Sequence, residues 1–123
     1  MCKVRIVIEA LTFAAELNNS ATAQGIRASL PLESTVNVWG QEIYFDIPVY
    51  IDEAPDAVTE VDVGALAYWP MGPAFCLFFG PTPISDGPKP RAYSPVNVFG
   101  RVLDDIAPLK KVKNGATIRV ERA

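Results

Sequence analysis

One strand-like segment carries the side chains whose types and spacing could support chemistry. In Glu42–Val49, the side chains of Glu42, Tyr44 and Asp46 share one face, because successive side chains of a strand point to opposite sides of the sheet. Two carboxyl groups on one face, with a phenol between them, could share a proton or hold a metal ion, as a carboxylate-based hydrolase requires. A plain solvent-exposed strand face is the competing interpretation of the same pattern.

Histidine is absent from the sequence, which restricts the possible reactions. Its absence excludes Ser-His-Asp and Cys-His nucleophilic catalysis and most zinc or iron sites. Proton transfer would have to use carboxylates, lysine, tyrosine or cysteine. The two cysteines, Cys2 and Cys76, form no CxxC pair and are too few for a disulfide framework, which predicts a cytoplasmic protein with free thiols. We expect no metal ion and no cofactor.

The segment Gly64–Pro83 is highly apolar and contains no charged residue. It predicts two strands, Leu66–Pro70 and Phe75–Gly80, joined by a tight connection that contains proline and glycine. So much apolar surface must be buried by folding or used to bind a ligand. Ordinary core packing of its aromatic side chains and a ligand-binding role therefore both remain open.

The rest of the 123-residue chain supplies elements for one domain, residues 1–123. Alternating apolar and polar residues predict eight strands, most of them in antiparallel pairs adjacent in sequence. The segment ATAQGIRASL predicts a short helix that follows the polar run Asn18–Ser20 and ends at Pro31, and Asp104 and Asp105 could cap a second helical turn. Eight strands in so small a chain favour an all-β, closed antiparallel barrel with two short capping helices.

The net charge is −3, but acidic and basic residues are distributed unevenly. Eleven of the 14 acidic residues precede position 89, whereas eight of the 11 basic residues lie from position 89 onward. A basic C-terminal part could bind nucleic acid. These bases alternate with apolar residues, however, as on the exposed face of a strand whose neighbour carries opposite charges. No apolar run reaches the roughly 20 residues of a membrane span, and we expect neither nucleic acid nor membrane as a partner.

Three segments together resemble the cyclophilins, which are peptidyl-prolyl isomerases. SATAQGIRASL is similar to the cyclophilin helix PKTAENFRAL, GALAYWPMG and FCLFFG are similar to GxLSMANAG and SQFFI, and VNVFGRVLDDIAPLKKV is similar to VVFGKVxEGMDVVxxI. The segments WGQEIYF, AYWPMGPAFCLFFGPTP and SPVNVFGRV resemble more closely a family of small prokaryotic cyclophilin-like proteins of uncharacterised function. The resemblance covers nearly the whole chain and implies an eight-stranded barrel capped by two helices.

The residues that carry isomerase activity in cyclophilins are replaced in this chain. Rotation about an X-Pro bond faces a barrier of about 18–20 kcal/mol, and cyclophilins lower it with an apolar proline pocket and an arginine aimed at the prolyl nitrogen. The resemblance puts Asp46 in the place of that arginine and Pro70 in the place of the asparagine of MANAG. Cys76 or Leu77 takes the place of the glutamine that precedes the two phenylalanines.

The resemblance also predicts a groove on the outer face of the barrel. Tyr44 and Asp46 would lie there beside the Trp69–Met71 turn and one side of the following strand. Aromatic walls with a few polar groups are typical of sites for small ligands or peptides. Arg91, in the proline-rich segment Pro81–Pro95, could supply a replacement cation. The predicted ligand-binding residues are Glu42, Tyr44, Asp46, Trp69, Met71, Cys76, Phe78 and Arg91.

Three functions are compatible with these observations. The preferred prediction is a module that binds a peptide or small ligand in the groove without standard prolyl isomerase catalysis. An atypical peptidyl-prolyl isomerase with alternative donors is the second. A carboxylate-based enzyme that uses Glu42 and Asp46 is the third. The sequence leaves the identity of the ligand and the oligomeric state open.

Overall fold

The computed structural model describes residues 2–123, which form ten strands, one α-helix and one short 3-10 helix. The strands are β1 (Cys2–Ile8), β2 (Leu11–Leu17), β3 (Leu32–Thr35), β4 (Asn37–Trp39), β5 (Glu42–Asp46), β6 (Val58–Glu60), β7 (Ala65–Trp69), β8 (Ala74–Phe78), β9 (Arg91–Val102) and β10 (Thr117–Arg122). The α-helix, α1, is Ala21–Ser29, and the 3-10 helix is Ala107–Lys111. None of the helices within residues 2–123 is both long enough and apolar enough to cross a membrane.

All pairs of strands are antiparallel, in the order β3-β10-β1-β2-β9-β7-β8-β5-β4, and β6 pairs separately with β9. The mainly β fold is therefore confirmed, but the hydrogen-bonded order runs from one end strand to another and does not close. Its two end strands, β3 and β4, are consecutive in the sequence and are separated only by Val36. The predicted strand Ser34–Trp39 is split at this point, which leaves an open sheet in place of the predicted closed eight-stranded barrel.

The predicted helix after Asn18–Ser20 is present as α1. The Ser20 hydroxyl accepts a hydrogen bond from the Ala23 backbone N–H at 3.1 Å and caps the helix. Ile26 is fully buried and joins the helix to the main core. The second predicted helix is a single 3-10 segment, whose start is held by the Asp105 carboxylate accepting from the Ala107 N–H at 3.0 Å.

Charges near the two termini meet across the sheet. β1 pairs with β10 so that Arg5 lies opposite Glu121, and their side chains form an ion pair of 3.0 Å. Arg119 of β10 pairs with Glu121 of the same strand and with Glu33 of β3. Arg119 thus has an acidic partner on β3 and Glu121 has a basic partner on β1, so opposite charges meet across the sheet. Arg122 instead donates to the Arg27 carbonyl at 3.2 Å.

The sheet formed by β5, β7 and β8 separates two apolar clusters. Its inner face contributes Ile43, Phe45, Tyr68, Phe75 and Leu77 to the main core, together with residues of β1, β2, β10 and α1. Its outer face contributes to a smaller cluster that consists of Val61, Ala65, Ala67, Ala74, Cys76, Phe78, Ala92 and Val96. The second cluster is covered by the first residues of β9, and this cover creates the candidate site.

We expect Asn97→Ala to lower the free energy of unfolding by about 2 kcal/mol, because buried polar partners would lose their hydrogen bonds. The buried Asn97 amide accepts from the Ala54 N–H at 2.8 Å and donates to the Thr22 hydroxyl at 3.2 Å and the Asp52 carbonyl at 3.0 Å. Urea denaturation would measure the loss, with the exposed Asn19→Ala as the control. Equal stability of the two variants would contradict this role.

Candidate functional site

A small pocket of about 170 Å³ lies on the outer face of β5, β7 and β8. Its rim is exposed to solvent at Tyr93, and four of its eight lining residues are aromatic. Five different strands contribute to it. Its lining consists of Trp39, Glu42, Tyr44, Trp69, Cys76, Ala92, Tyr93 and Val96.

The register of four strands, β4, β5, β8 and β7, brings the base of the pocket together. The turn at Gly40, whose φ of 58° suits glycine, places Trp39 opposite Glu42. Tyr44 lies opposite Cys76, and Cys76 in turn lies opposite Ala67 of β7. Directly opposed residues of antiparallel strands share a face, so the alternation that sends Ile43 and Phe45 into the core sends Glu42 and Tyr44 to the pocket.

A bulge in β9 supplies the cover of the pocket. Val58 pairs with Val96 and Glu60 pairs with Arg91, so a single residue of β6 faces four residues of β9. Residues 92–95 therefore outnumber Thr59 by three and interrupt the regular pairing, which brings Tyr93 to the pocket. The base of the preceding loop is tied by the Thr82 hydroxyl, which donates to the Arg91 carbonyl at 2.6 Å.

Three of the aromatic rings that line the pocket, those of Trp39, Trp69 and Tyr93, are neighbours, with the Tyr93 ring at a steep angle to each indole. The rings of Trp39 and Tyr93 have centroids 6.2 Å apart and an interplanar angle of 68°. The rings of Trp69 and Tyr93 have centroids 6.0 Å apart and an angle of 75°. The Trp69 indole N–H donates to the Ser94 hydroxyl at 2.5 Å, which holds the cover against the sheet. The Tyr93 side chain is nevertheless 73% exposed, so it forms the rim of the opening.

The Glu42 carboxyl is the one acidic group in this lining. The residue is only 6% exposed, and none of the ion pairs formed within residues 2–123 includes it. Burial raises the pKa of Glu42 to about 7, and a hydrogen bond with the Cys76 thiol opposes that rise only in part. Near neutral pH this side chain is therefore present in both its neutral and its charged form.

Cys76 is a buried partner of Glu42. Burial, and then the neighbouring Glu42 carboxylate, raise the pKa of the Cys76 thiol well above its usual value. A thiol held in its neutral form is a weak nucleophile. The arrangement therefore gives Cys76 a role in packing, with its thiol donating to the Ala74 carbonyl at 3.9 Å, and the pocket presents a carboxyl as its reactive group.

Four of the eight predicted site residues line this pocket, namely Glu42, Tyr44, Trp69 and Cys76. Phe78 lies on the same face of β8 but is completely buried in the outer cluster. Met71, in the turn between β7 and β8, is 77% exposed and does not join the lining.

The two remaining predicted residues lie away from the pocket. Asp46 stands opposite Ala74, four residues from Glu42 and thus about 13 Å away at roughly 3.3 Å per residue. That separation is too great for the two carboxyl groups to share a proton or a metal ion. Arg91 pairs with Asp86 at 3.7 Å and lies at the start of β9, outside the lining.

Four lining residues, Trp39, Ala92, Tyr93 and Val96, are missing from the set predicted from the sequence. The position of Trp39 could have been inferred, because a tight turn at Gly40 and Gln41 must place it beside Glu42. The sequence gives no indication that Tyr93 lies at the pocket, because Tyr93 belongs to the proline-rich segment Pro81–Pro95, which was predicted to be a loop. Only the mismatch between β6 and β9 brings it to the pocket.

Other surface features contain fewer elements of a binding site. A larger open depression of about 610 Å³ is lined by charged residues that already pair with one another, including Lys89 with Asp62 at 3.1 Å and Arg101 with Glu16 at 3.1 Å. Across residues 2–123, no group of three or more carboxylate, thiol or imidazole side chains could hold a metal ion. The small aromatic pocket is therefore the candidate site.

The antiparallel sheet, with a core on one face and an aromatic pocket on the outer face of its central strands, is the setting in which the resemblance to cyclophilins predicts a groove. The sequence model of the Cyclophilin-like family matches residues 2–121, and the chain belongs to that family. The fold is similar to the solution structure of a hypothetical protein from Archaeoglobus fulgidus, with 42% sequence identity and a TM-score of 0.84. That likeness covers 99% of this chain and 95% of the archaeal one. No curated protein matches the sequence.

Proposed function

We propose that this protein is a binding module whose aromatic pocket holds one side-chain-sized group of a peptide or a small molecule. The observation that carries the proposal is the pocket itself, which joins three aromatic walls to a buried carboxyl. Pockets for whole drug-sized ligands measure roughly 300–1,000 Å³. The volume of about 170 Å³ fits a single head group or side chain, with the rest of the ligand lying outside.

Standard prolyl isomerase chemistry is not part of this proposal. The resemblance to cyclophilins puts Asp46 where those enzymes carry an arginine, and Asp46 lies outside the pocket lining. Arg91, the candidate replacement, is engaged with Asp86 and also lies outside it. The lining therefore contains no cationic group to interact with a prolyl nitrogen.

An atypical prolyl isomerase is the alternative, and one observation favours it. Because the pKa of Glu42 is raised to about 7, a fraction of these carboxyls is protonated at neutral pH. A neutral carboxylic acid can donate a hydrogen bond, and a donor beside an aromatic pocket could interact with the nitrogen of a bound proline. Such activity would require the protonated form and would decline above pH 7.

A protease-coupled prolyl isomerisation assay tests the proposal, and we expect the protein to leave the uncatalysed rate unchanged between pH 6 and pH 8. Asp46→Arg should be equally inactive, because position 46 does not reach the pocket. Catalysis at pH 6 that disappears in both Glu42→Ala and Trp69→Ala would contradict the proposal and establish the alternative. Catalysis that survives both substitutions would indicate a contaminating isomerase.

The cytoplasmic location and the expected lack of nucleic-acid, membrane, metal and cofactor partners stay predictions. The proposed binding function depends neither on the location of the protein nor on the absence of these partners. A peptide and a small molecule are equally compatible with a pocket that admits only one group.

A further inference from the structure

We propose that the pocket binds an organic cation with an alkylated ammonium group, which the aromatic walls surround and the Glu42 carboxylate neutralises. This inference rests on the proposed binding function and specifies the chemical class of the ligand.

The first observation is a buried acid without a positive partner. Glu42 is only 6% exposed, it lies beside the Cys76 thiol, and it joins none of the ion pairs within the described residues. A buried carboxylate is costly unless a cation or several hydrogen-bond donors compensate for its lost hydration. Because the side chain lines the cavity, a ligand in the cavity can provide that cation.

The second observation is the nature and arrangement of the walls. Trp39, Trp69 and Tyr93 are the ring types whose faces attract cations most strongly, and Tyr93 stands at a steep angle to both indoles. Such an arrangement offers ring surfaces from several directions to one compact positive group. Aromatic cages of this kind recognise quaternary ammonium ligands.

The third observation distinguishes an alkylated ammonium from a primary one. A primary ammonium has three N–H donors, all of which need acceptors when water is removed. Among the lining side chains, the Glu42 carboxylate is the one charged acceptor. A group whose N–H bonds are replaced by methyl groups needs fewer acceptors and gains contact with the rings, so the pocket should prefer it.

Choline, ethanolamine and 3,3-dimethylbutan-1-ol test this inference, because the last is the uncharged carbon analogue of choline. Both tryptophans of the chain, Trp39 and Trp69, line the pocket, so tryptophan fluorescence reports on its occupancy directly. At pH 8 we expect choline to bind about tenfold more tightly than the carbon analogue, as an attraction of one to two kcal/mol between a cation and aromatic rings implies. Ethanolamine should bind more weakly than choline.

Three variants locate the binding. Glu42→Gln keeps the shape of the side chain and should weaken choline binding about tenfold without affecting the carbon analogue. Tyr93→Ala removes an exposed wall at little risk to folding and should weaken choline binding several-fold. Tyr50→Ala, which removes a side chain of similar exposure outside the pocket, should bind choline like the wild type.

The pH dependence supplies a further readout. Choline binding by the wild type should weaken as pH falls from 8 to 6, because protonation removes the charge of Glu42, whereas Glu42→Gln should show no such change. The other titratable groups that face Glu42 in the pocket are the phenols of Tyr44 and Tyr93 and the thiol of Cys76. None of them is an imidazole, the side chain that ordinarily titrates in this range.

The possible negative results distinguish a failure of the cation inference from a failure of the proposed binding function. Equal affinity for choline and its carbon analogue would overturn the cation inference and leave the binding function supported. Choline binding that Glu42→Gln and Tyr93→Ala do not weaken would overturn it by placing the site elsewhere. If none of the three compounds binds, the cation inference fails, and an NMR screen of neutral fragments then decides whether the pocket binds ligands at all.

One further comparison identifies the source of the cation. N-acetyl-trimethyllysine amide presents the same head group on an amino-acid side chain. Tighter binding of this compound than of choline would support the inference with a protein segment as partner, and tighter binding of choline would support it with a free small molecule.

Discussion

Replacing Glu42 with glutamine is expected to raise the free energy of unfolding at pH 8 by about 3 kcal/mol and to change it little at pH 4. Burial raises the pKa of Glu42 to about 7 in the folded protein, whereas a glutamate in an unfolded chain has a pKa near 4.3. At pH 8 the wild type must fold with a charge in a poorly hydrated position. Glutamine is similar in shape and carries no charge, so its folding avoids this cost.

The direction of the pH dependence follows from the number of protons that each state binds. Between about pH 4.3 and pH 7 the folded protein holds a proton on Glu42 that the unfolded chain has lost. The free energy of unfolding therefore falls as pH rises through this interval, and the contribution of Glu42 is fully present only below it. Well above pH 7 both states are ionised at this position, and the difference between wild type and variant becomes constant.

Urea denaturation of the wild type and Glu42→Gln at pH 4, 6 and 8 checks this expectation. The difference between the two proteins isolates Glu42, because all other titrating groups are common to both. Asp46→Asn is the matched control, since it removes an exposed acid from the same strand and should show no comparable gain at pH 8. A constant difference between wild type and Glu42→Gln at all three pH values would show that the carboxyl is not destabilised by burial.

A gain in stability at pH 8 would also bear on function. A side chain that costs folding energy and has a simple replacement is typical of a binding or catalytic site. The same substitution should weaken choline binding, so the two measurements on one variant ask whether stability and ligand binding conflict at Glu42. The cation would compensate in the complex for the hydration that Glu42 loses on folding.

The sequence predicted the sheet and its faces well because alternation is a local property. Glu42 and Tyr44 were assigned to one face of a strand and Ile43 and Phe45 to the other, and the structure confirms this division. α1 was predicted from the polar run Asn18–Ser20 before it and the proline after it, which act within one turn of the helix. Half of the pocket lining follows from these local patterns together with the resemblance to cyclophilins.

The remaining features depend on contacts between distant segments. Whether the sheet closes is decided at Val36, where one predicted strand divides into β3 and β4 at the two ends of the sheet. Tyr93 reaches the pocket because four residues of β9 face one residue of β6. Hydrophobic periodicity cannot reveal such a bulge, since the surplus residues belong to neither face of a regular strand.

Replacing Gly100 with alanine is expected to lower the free energy of unfolding by about 3 kcal/mol, because a methyl group there would overlap with the backbone of β2. A Cβ atom at position 100 would overlap with the Glu16 carbonyl oxygen and lie 3.2 Å from Leu17 Cα. Gly100 lies opposite Leu17 on one side and Leu66 on the other, so β9 is held between two strands at this point.

Thermal and urea denaturation of Gly100→Ala and Gly87→Ala test this explanation, because a Cβ atom at Gly87 would meet nothing within 4 Å. We expect Gly87→Ala to unfold like the wild type and Gly100→Ala to unfold well before it. Equal stability of the two variants would contradict the steric argument. The glycine of the VNVFGRV segment, which contributed to the resemblance with cyclophilins, would then need another explanation than the close approach of β2 and β9.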